Sequence, residues 1–129
     1  MRLVLPVIVL AGMLLTRGAS AQPAPPGPLN PDLWQARGQA ELVLLDKVKA
    51  QPEAATLRVG QAMSFGSLTI TLRRCVSHPA DQPQDSAALV DITDNHAASF
   101  GYHAWMLANE PGLSQLEHPI YDVHLTACR

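Results

Sequence analysis

Five histidines, His78, His96, His103, His118 and His124, are the residues most suited to chemistry in this 129-residue chain. A metal site is legible in sequence when two or more such ligands sit at short spacing, and the chain has no His-x-His, no His-Glu-x-x-His and no close cysteine pair. Strand ends distant in sequence can still bring His103, His118, His124 and Asp122 together, which would suit a metal-dependent enzyme or a small hydrolase. Gly112-Leu113-Ser114-Gln115-Leu116 lacks the second glycine of a nucleophile elbow. The acids Asp91, Asp94, Glu117 and Asp122 show no spacing that sets a pair for glycoside chemistry. No catalytic residue, metal ligand or cofactor is therefore assigned.

The densest mixture of charge, aromatic and proline is Leu116-Glu117-His118-Pro119-Ile120-Tyr121-Asp122-Val123. One reading makes Glu117, His118, Tyr121 and Asp122 a recognition surface beside Trp105. The favoured reading is a tight structural corner. Pro119 fixes the exit, Asp122 accepts hydrogen bonds from turn amides, and the Tyr121 ring packs in the core with its hydroxyl tied to backbone. Asp46-Lys47, an adjacent acid and base in an apolar strand, either pairs across to its neighbours or faces solvent.

These residues must be held by a small core. Apolar residues make up 47% of the chain, but the front end inflates that figure. Residues 1–21 carry Arg2, an apolar run from Leu3 to Leu15 and the small-x-small ending Ala19-Ser20-Ala21, the pattern of a secretory signal peptide. The run is too short to span a bilayer, so no membrane anchor is expected after cleavage, and the location expected is the periplasm. Removing Arg2 and Arg17 from the nine basic residues leaves seven against eleven acids, a formal charge of −4 for residues 22–129. That balance argues against nucleic acid as a partner. An even pair of cysteines in an exported chain, Cys75 and Cys128, is most simply a disulfide. It would close a loop of about fifty residues and tie down the C-terminal end.

Residues 22–40 read as a proline-rich linker in which Asn30-Pro31-Asp32 has the order of a helix start, leaving room for one short helix that Gly38 limits. Residues 41–129 read as an all-β domain. Period-two runs expected as strands are Leu42–Val48, Ala55–Val59, Phe65–Leu72, Ala87–Ile92, Phe100–Leu107 and a last strand with Tyr121, Val123 and Leu125 facing inward. Gln51-Pro52-Glu53 is expected as a turn and His78–Ser86 as a polar loop. Cys75 falls out of parity with Leu68, Ile70 and Leu72, which requires either a bulge near Arg73-Arg74 or a cysteine facing away. Phe100–Leu107 is apolar on both faces, so it is either central or covered. Glu110–Glu117 suits one helical turn with Leu113 and Leu116 as a lid. The expected fold is a small antiparallel sandwich or partly closed barrel of six to seven strands.

Several of these segments resemble an exported proteobacterial family, Domain of Unknown Function 2155. They are Leu45-Asp46-Lys47-Val48, Phe65-Gly66-Ser67-Leu68-Thr69-Ile70 with Cys75, Trp105-Met106, and Leu116–Val123 with Cys128. The likeness covers about Leu42 to Cys128. Two positions depart from it: Ala104 stands where glycine usually precedes the tryptophan, and His124 where an aromatic commonly follows Tyr-Asp-Val. The resemblance implies location and fold pattern and transfers no catalytic residues. The function expected is a non-catalytic periplasmic module that contacts an envelope protein or a wall component. Deleting residues 22–30 should leave the melting temperature nearly unchanged, because no core residue lies there; a calorimetric scan of both forms checks this.

Overall fold

Alternation of apolar and polar residues builds two antiparallel sheets whose apolar faces meet. The computed structural model describes residues 33–129. The expected signal peptide, residues 22–32 of the linker and the Asn30-Pro31-Asp32 helix start lie outside the described residues. The strands are β1 (Gln35–Arg37), β2 (Gln39–Asp46), β3 (Gln51–Arg58), β4 (Ala62–Phe65), β5 (Leu68–Ser77), β6 (Ser86–Asp94), β7 (Gly101–Leu107) and β8 (Tyr121–Cys128). One sheet has the order β1-β5-β6-β7, with β4 also paired to β5, and the other has the order β3-β2-β8. Of the two architectures expected, the sandwich forms and no barrel closes.

The core is the set of inward positions. Leu42, Leu44 and Leu57 on one sheet meet Leu68, Ile70, Leu72, Val90 and Ile92 on the other, joined by Val123 and Leu125 of β8. Each such side chain contributes roughly 1.5–3 kcal/mol on leaving water.

Several expectations need correction. The short N-terminal helix does not form over the described part of its span: Leu33 lies in a turn and β1 pairs with Cys75–Ser77. Packing of Trp34 on His78, ring centroids 4.2 Å apart, and strand pairing outweigh a local helix-start signal. Among the described residues there are eight strands where six or seven are expected. Phe65–Leu72 is interrupted at Gly66-Ser67, a two-residue hairpin turn in which Phe65 pairs with Leu68 and Gly66 takes φ +57°. The turn after β2 is Lys47–Ala50 rather than Gln51-Pro52-Glu53, because the Asp46 carboxylate accepts the Val48 and Lys49 amides at 3.0 Å each. Pro52 then sits within β3, an edge strand, where a missing N–H costs no ladder bond. The helical turn shortens to a 3₁₀ turn at Pro111–Ser114. Leu116 is buried as expected, but Leu113 is 71% exposed and forms no lid.

β7 is the covered alternative, since it lies at a sheet edge with Arg74 over its Trp105 and the 3₁₀ turn packed beside it. The parity of Cys75 is resolved by a bulge. Leu72 pairs with Val90 and Arg74 with Leu89, so Arg73 is an extra residue and Cys75 turns inward. A second irregularity in β8, between the Leu125 and Ala127 pairings, does the same for Cys128. The two cysteines are bridged, with Cα atoms 5.7 Å apart, and both are buried. The bridge joins β5 of one sheet to β8 of the other. Cys128→Ser should therefore lower unfolding free energy by about 2–5 kcal/mol in denaturant titration, with earliest loss of amide protection at the end of β8.

Candidate functional site

The corner between the 3₁₀ turn and β8 is organised around one buried pair. Leu116 anchors the chain in the core and Pro119 redirects it, which places His118 between the sheets, with its side chain 4% exposed. His118 Nδ1 accepts the N–H groups of Ile120 and Tyr121 at 3.1 Å each. The ring proton thus sits on Nε2 and is donated to Asp94 Oδ2 at 2.9 Å. Asp94 ends β6, and its other oxygen accepts the His96 amide at 2.8 Å. Hydrogen bonds from His118, from the His96 backbone and from the Ser67 side chain hold its carboxyl at about 2, below the ordinary 3.8.

Aromatic rings enclose this pair. His118 stacks on Tyr121, centroids 5.3 Å apart, and meets Phe100 edge-on at 5.0 Å. Tyr121 in turn meets Phe65 at 5.4 Å. Gly66 lies directly against the Tyr121 ring, and any Cβ there would collide with it. Lys47 closes the outside by donating to the His118 carbonyl at 2.7 Å. The Asp46-Lys47 pair is thereby divided, Asp46 holding its own turn and Lys47 holding the corner.

The other polar candidates lie elsewhere. Asp122 alternates with the inward Val123 and so faces the outside of its sheet, where Oδ2 meets His124 Nε2 at 2.7 Å. His103 and Asp91 are paired neighbours on the outside of the opposite sheet, and Asp91 also receives Arg73. The hydrogen bond to His103, followed by that to Arg73, holds the Asp91 carboxyl below its usual range. Trp105 shares that outer face, under the Arg74 guanidinium at 5.8 Å from the ring centroid. Glu117 is exposed. Among the five recognition candidates the structure brings together His118 and Tyr121, with Glu117 adjacent in the chain, while Trp105 and Asp122 face away from them.

Two details expected of this corner change owners. The turn amides are accepted by His118, with Asp122 taking only the amide of Val123. The tied aromatic hydroxyl belongs to Tyr102, which donates to Ser114 O at 2.7 Å and whose burial raises its pKa. His103, His118 and His124 do not converge, since each faces its own aspartate in a different place. Among the described residues, no three His, Cys, Asp or Glu side chains are placed to hold a metal ion.

The description "uncharacterized protein conserved in bacteria (DUF2155)" matches residues 40–128, from β2 to the second cysteine. The chain belongs to the DUF2155 family. A relative, an uncharacterised protein of Rickettsia prowazekii (strain Madrid E), is 29% identical over 91 residues, covering 68% of this chain and 59% of that one. The chain thus spans about three-fifths of that relative's length. No solved structure matches. The span matched to DUF2155 holds both cysteines, the His118–Asp94 pair and its surrounding rings.

The sequence points to His118 and Tyr121 but does not name Asp94 as the partner of His118. Asp94 stands in the sequence only as one of four acids without a set pairing, and Phe65, Ser67 and Phe100 carry no signal for this role. Because Asp94 binds its proton less tightly in the folded chain, its contribution to stability is complete above roughly pH 4 and is lost as pH falls toward about 2. Asp94→Asn should lower the melting temperature at pH 7 and flatten its decline between those limits. Melting curves at half-unit pH steps test this, and an unchanged slope would place the acid sensitivity in another group.

Proposed function

We propose that the chain is an exported protein of the bacterial cell envelope, periplasmic after loss of residues 1–21. In this reading its β domain acts as a non-catalytic interaction module toward another envelope protein or a wall component. Export is supported by the leader-like pattern of residues 1–21 and by the buried Cys75–Cys128 bridge, which an oxidising compartment sustains.

The module reading is carried by one observation: each of the three histidines the enzyme reading needs is matched to its own aspartate, His103 to Asp91, His118 to Asp94 and His124 to Asp122. The buried member of this set has both ring nitrogens engaged in holding backbone and β6 in place. A hydrolase or metal-dependent enzyme built from His103, His118, His124 and Asp122 needs them in one cleft, and they occupy three separate places in the fold. The acidic balance of residues 22–129 leaves nucleic acid an unsuitable partner.

Fractionation of cells making the full chain, with thiol blocking before mass analysis, tests the location. The expected product starts after Ala21, lies in the periplasm and has no reactive thiol. In the same cells, Tyr121→Ala should destabilise the domain by about 3 kcal/mol or more, and Asp122→Ala by about 1–2 kcal/mol. Any loss of cellular function should follow loss of folded protein. If Glu117→Ala or His118→Ala kept melting temperature and abundance yet abolished function, the corner would instead be a recognition or catalytic site, and the same outcome for Asp122→Ala would place that site on the outer face of β8.

A further inference from the structure

The sandwich leaves its sheet edges unequally protected. β1 and β4, which flank β5 on one side, offer three and four residues. β7 has the 3₁₀ turn packed beside it, fastened by Tyr102. β8 lies against β6, and its Cys128 N–H donates to Ser86 Oγ at 2.9 Å. β3 differs from all of these: among the described residues its eight residues pair with β2 alone, and all but Ala55 and Leu57 are exposed.

The direction of its amides follows from alternation. Val59 N–H donates to Gly38 O at 2.9 Å, toward β2, while Arg58 N–H goes to the Gln61 side chain at 3.1 Å. Pro52, with no N–H, shares the parity of Arg58. The N–H groups of Ala54 and Thr56 therefore point away from β2, on an edge whose small side chains let another backbone approach.

The inward positions of β3 run from Leu57 and Ala55 in the core to Glu53 and Gln51 at the rim, opposite Leu44 and Asp46. There the sheets part into a cleft of about 710 Å³, lined by Asp46, Lys49, Gln51, Glu53 and Tyr121 from the β3-β2-β8 sheet and its turn and by Phe65 from β4 of the other sheet. Lys49 pairs with Asp46 at 3.8 Å, and Glu53 has no cationic partner among the described residues.

We propose that β3 is a strand-addition site for an extended segment of a partner protein that inserts a Lys or Arg side chain into this cleft. The inference rests on the interaction-module reading and names the chemistry of the partner. Main-chain bonds to Ala54 and Thr56 supply attachment, and the pocket beneath supplies choice of side chain. The basic head group meets Glu53, while its methylene stem lies along the Phe65 and Tyr121 rings, an arrangement suited to ion pairing and cation–π contact together. The acidic excess of residues 22–129 favours the same charge.

The test uses the oxidised full-length product purified from the periplasm, or from whichever fraction holds it. The probes are three nine-residue peptides of alternating Thr and Val with Lys, Glu or Ala at the centre. The Lys peptide should bind about tenfold or more tighter than the Glu peptide and slow amide exchange at Ala54 and Thr56. Glu53→Lys should reverse that order. Ala54→Pro, which removes an outward N–H and no β2 bond, should abolish binding with the melting temperature kept. Equal binding of the three peptides, or unprotected Ala54 and Thr56 amides, would overturn the proposal. So would a dimer in sedimentation that Ala54→Pro dissociates, since a second copy would then be the occupant. Binding by protein found in the cytosol with free thiols would support strand addition and remove only the envelope reading.

Discussion

Two extra residues in the strands allow the sheets to be joined. Leu72 and Leu125 face the core, and strict alternation from either would leave the following cysteine on the outer surface. The bulges at Arg73 in β5 and beside Thr126 in β8 shift parity by one, so Cys75 and Cys128 meet between the sheets. Thr126 Oγ1 donates to Glu41 O at 2.9 Å, giving the displaced β8 residue a backbone partner in β2. In a domain with a small core, a crosslink of this span is comparable with the whole net stability. It also explains how strands far apart in sequence hold register to the last residues of the chain, where ends otherwise fray.

The opposite end of the sandwich has no covalent closure and uses His118 and Asp94 for that purpose. The pair connects the end of β6 to the start of β8, and the rings of Phe65, Phe100 and Tyr121 shield it from water. Burying two polar side chains costs free energy unless each is satisfied, and here each is: the imidazole through both nitrogens and the carboxylate through both oxygens. Gly66 completes the seal because only a residue without Cβ leaves room for the Tyr121 ring. The corner is thus a polar clasp inside an aromatic box.

A clasp at one end and a bridge within the core leave the exposed flank between β3 and β4 as the place where the fold is least closed. Its wall residues have different duties. Tyr121 belongs to the clasp on one side and lines the cleft on the other, and Asp46 caps the β2–β3 turn at the same rim. Occupation of the cleft therefore bears directly on the residues that stabilise the corner. The histidine–aspartate pairs on the two outer faces are separate from the clasp, His103–Asp91 exposed and His124–Asp122 half-buried.

The sequence by itself determined much of this molecule. Leu68, Ile70 and Leu72 announced a strand and its buried face, and Tyr121, Val123 and Leu125 announced another, because period-two alternation is a local property. Cys75 out of parity in the same run left two alternatives, a bulge or an outward cysteine, and pairing with β6 decided for the bulge. What the sequence could not decide was pairing. Gln35–Arg37 became a strand rather than a helix because Cys75–Ser77 lay beside it, and Phe65–Leu72 folded back because Gly66-Ser67 could turn tightly under Tyr121. Asp94 became the partner of His118 through the approach of β6 and β8, and the dispersal of His103, His118 and His124 followed from which face each strand turned outward. Residue type and spacing act along one chain, whereas partners twenty or more residues apart are chosen only when burying the apolar faces brings particular strands together.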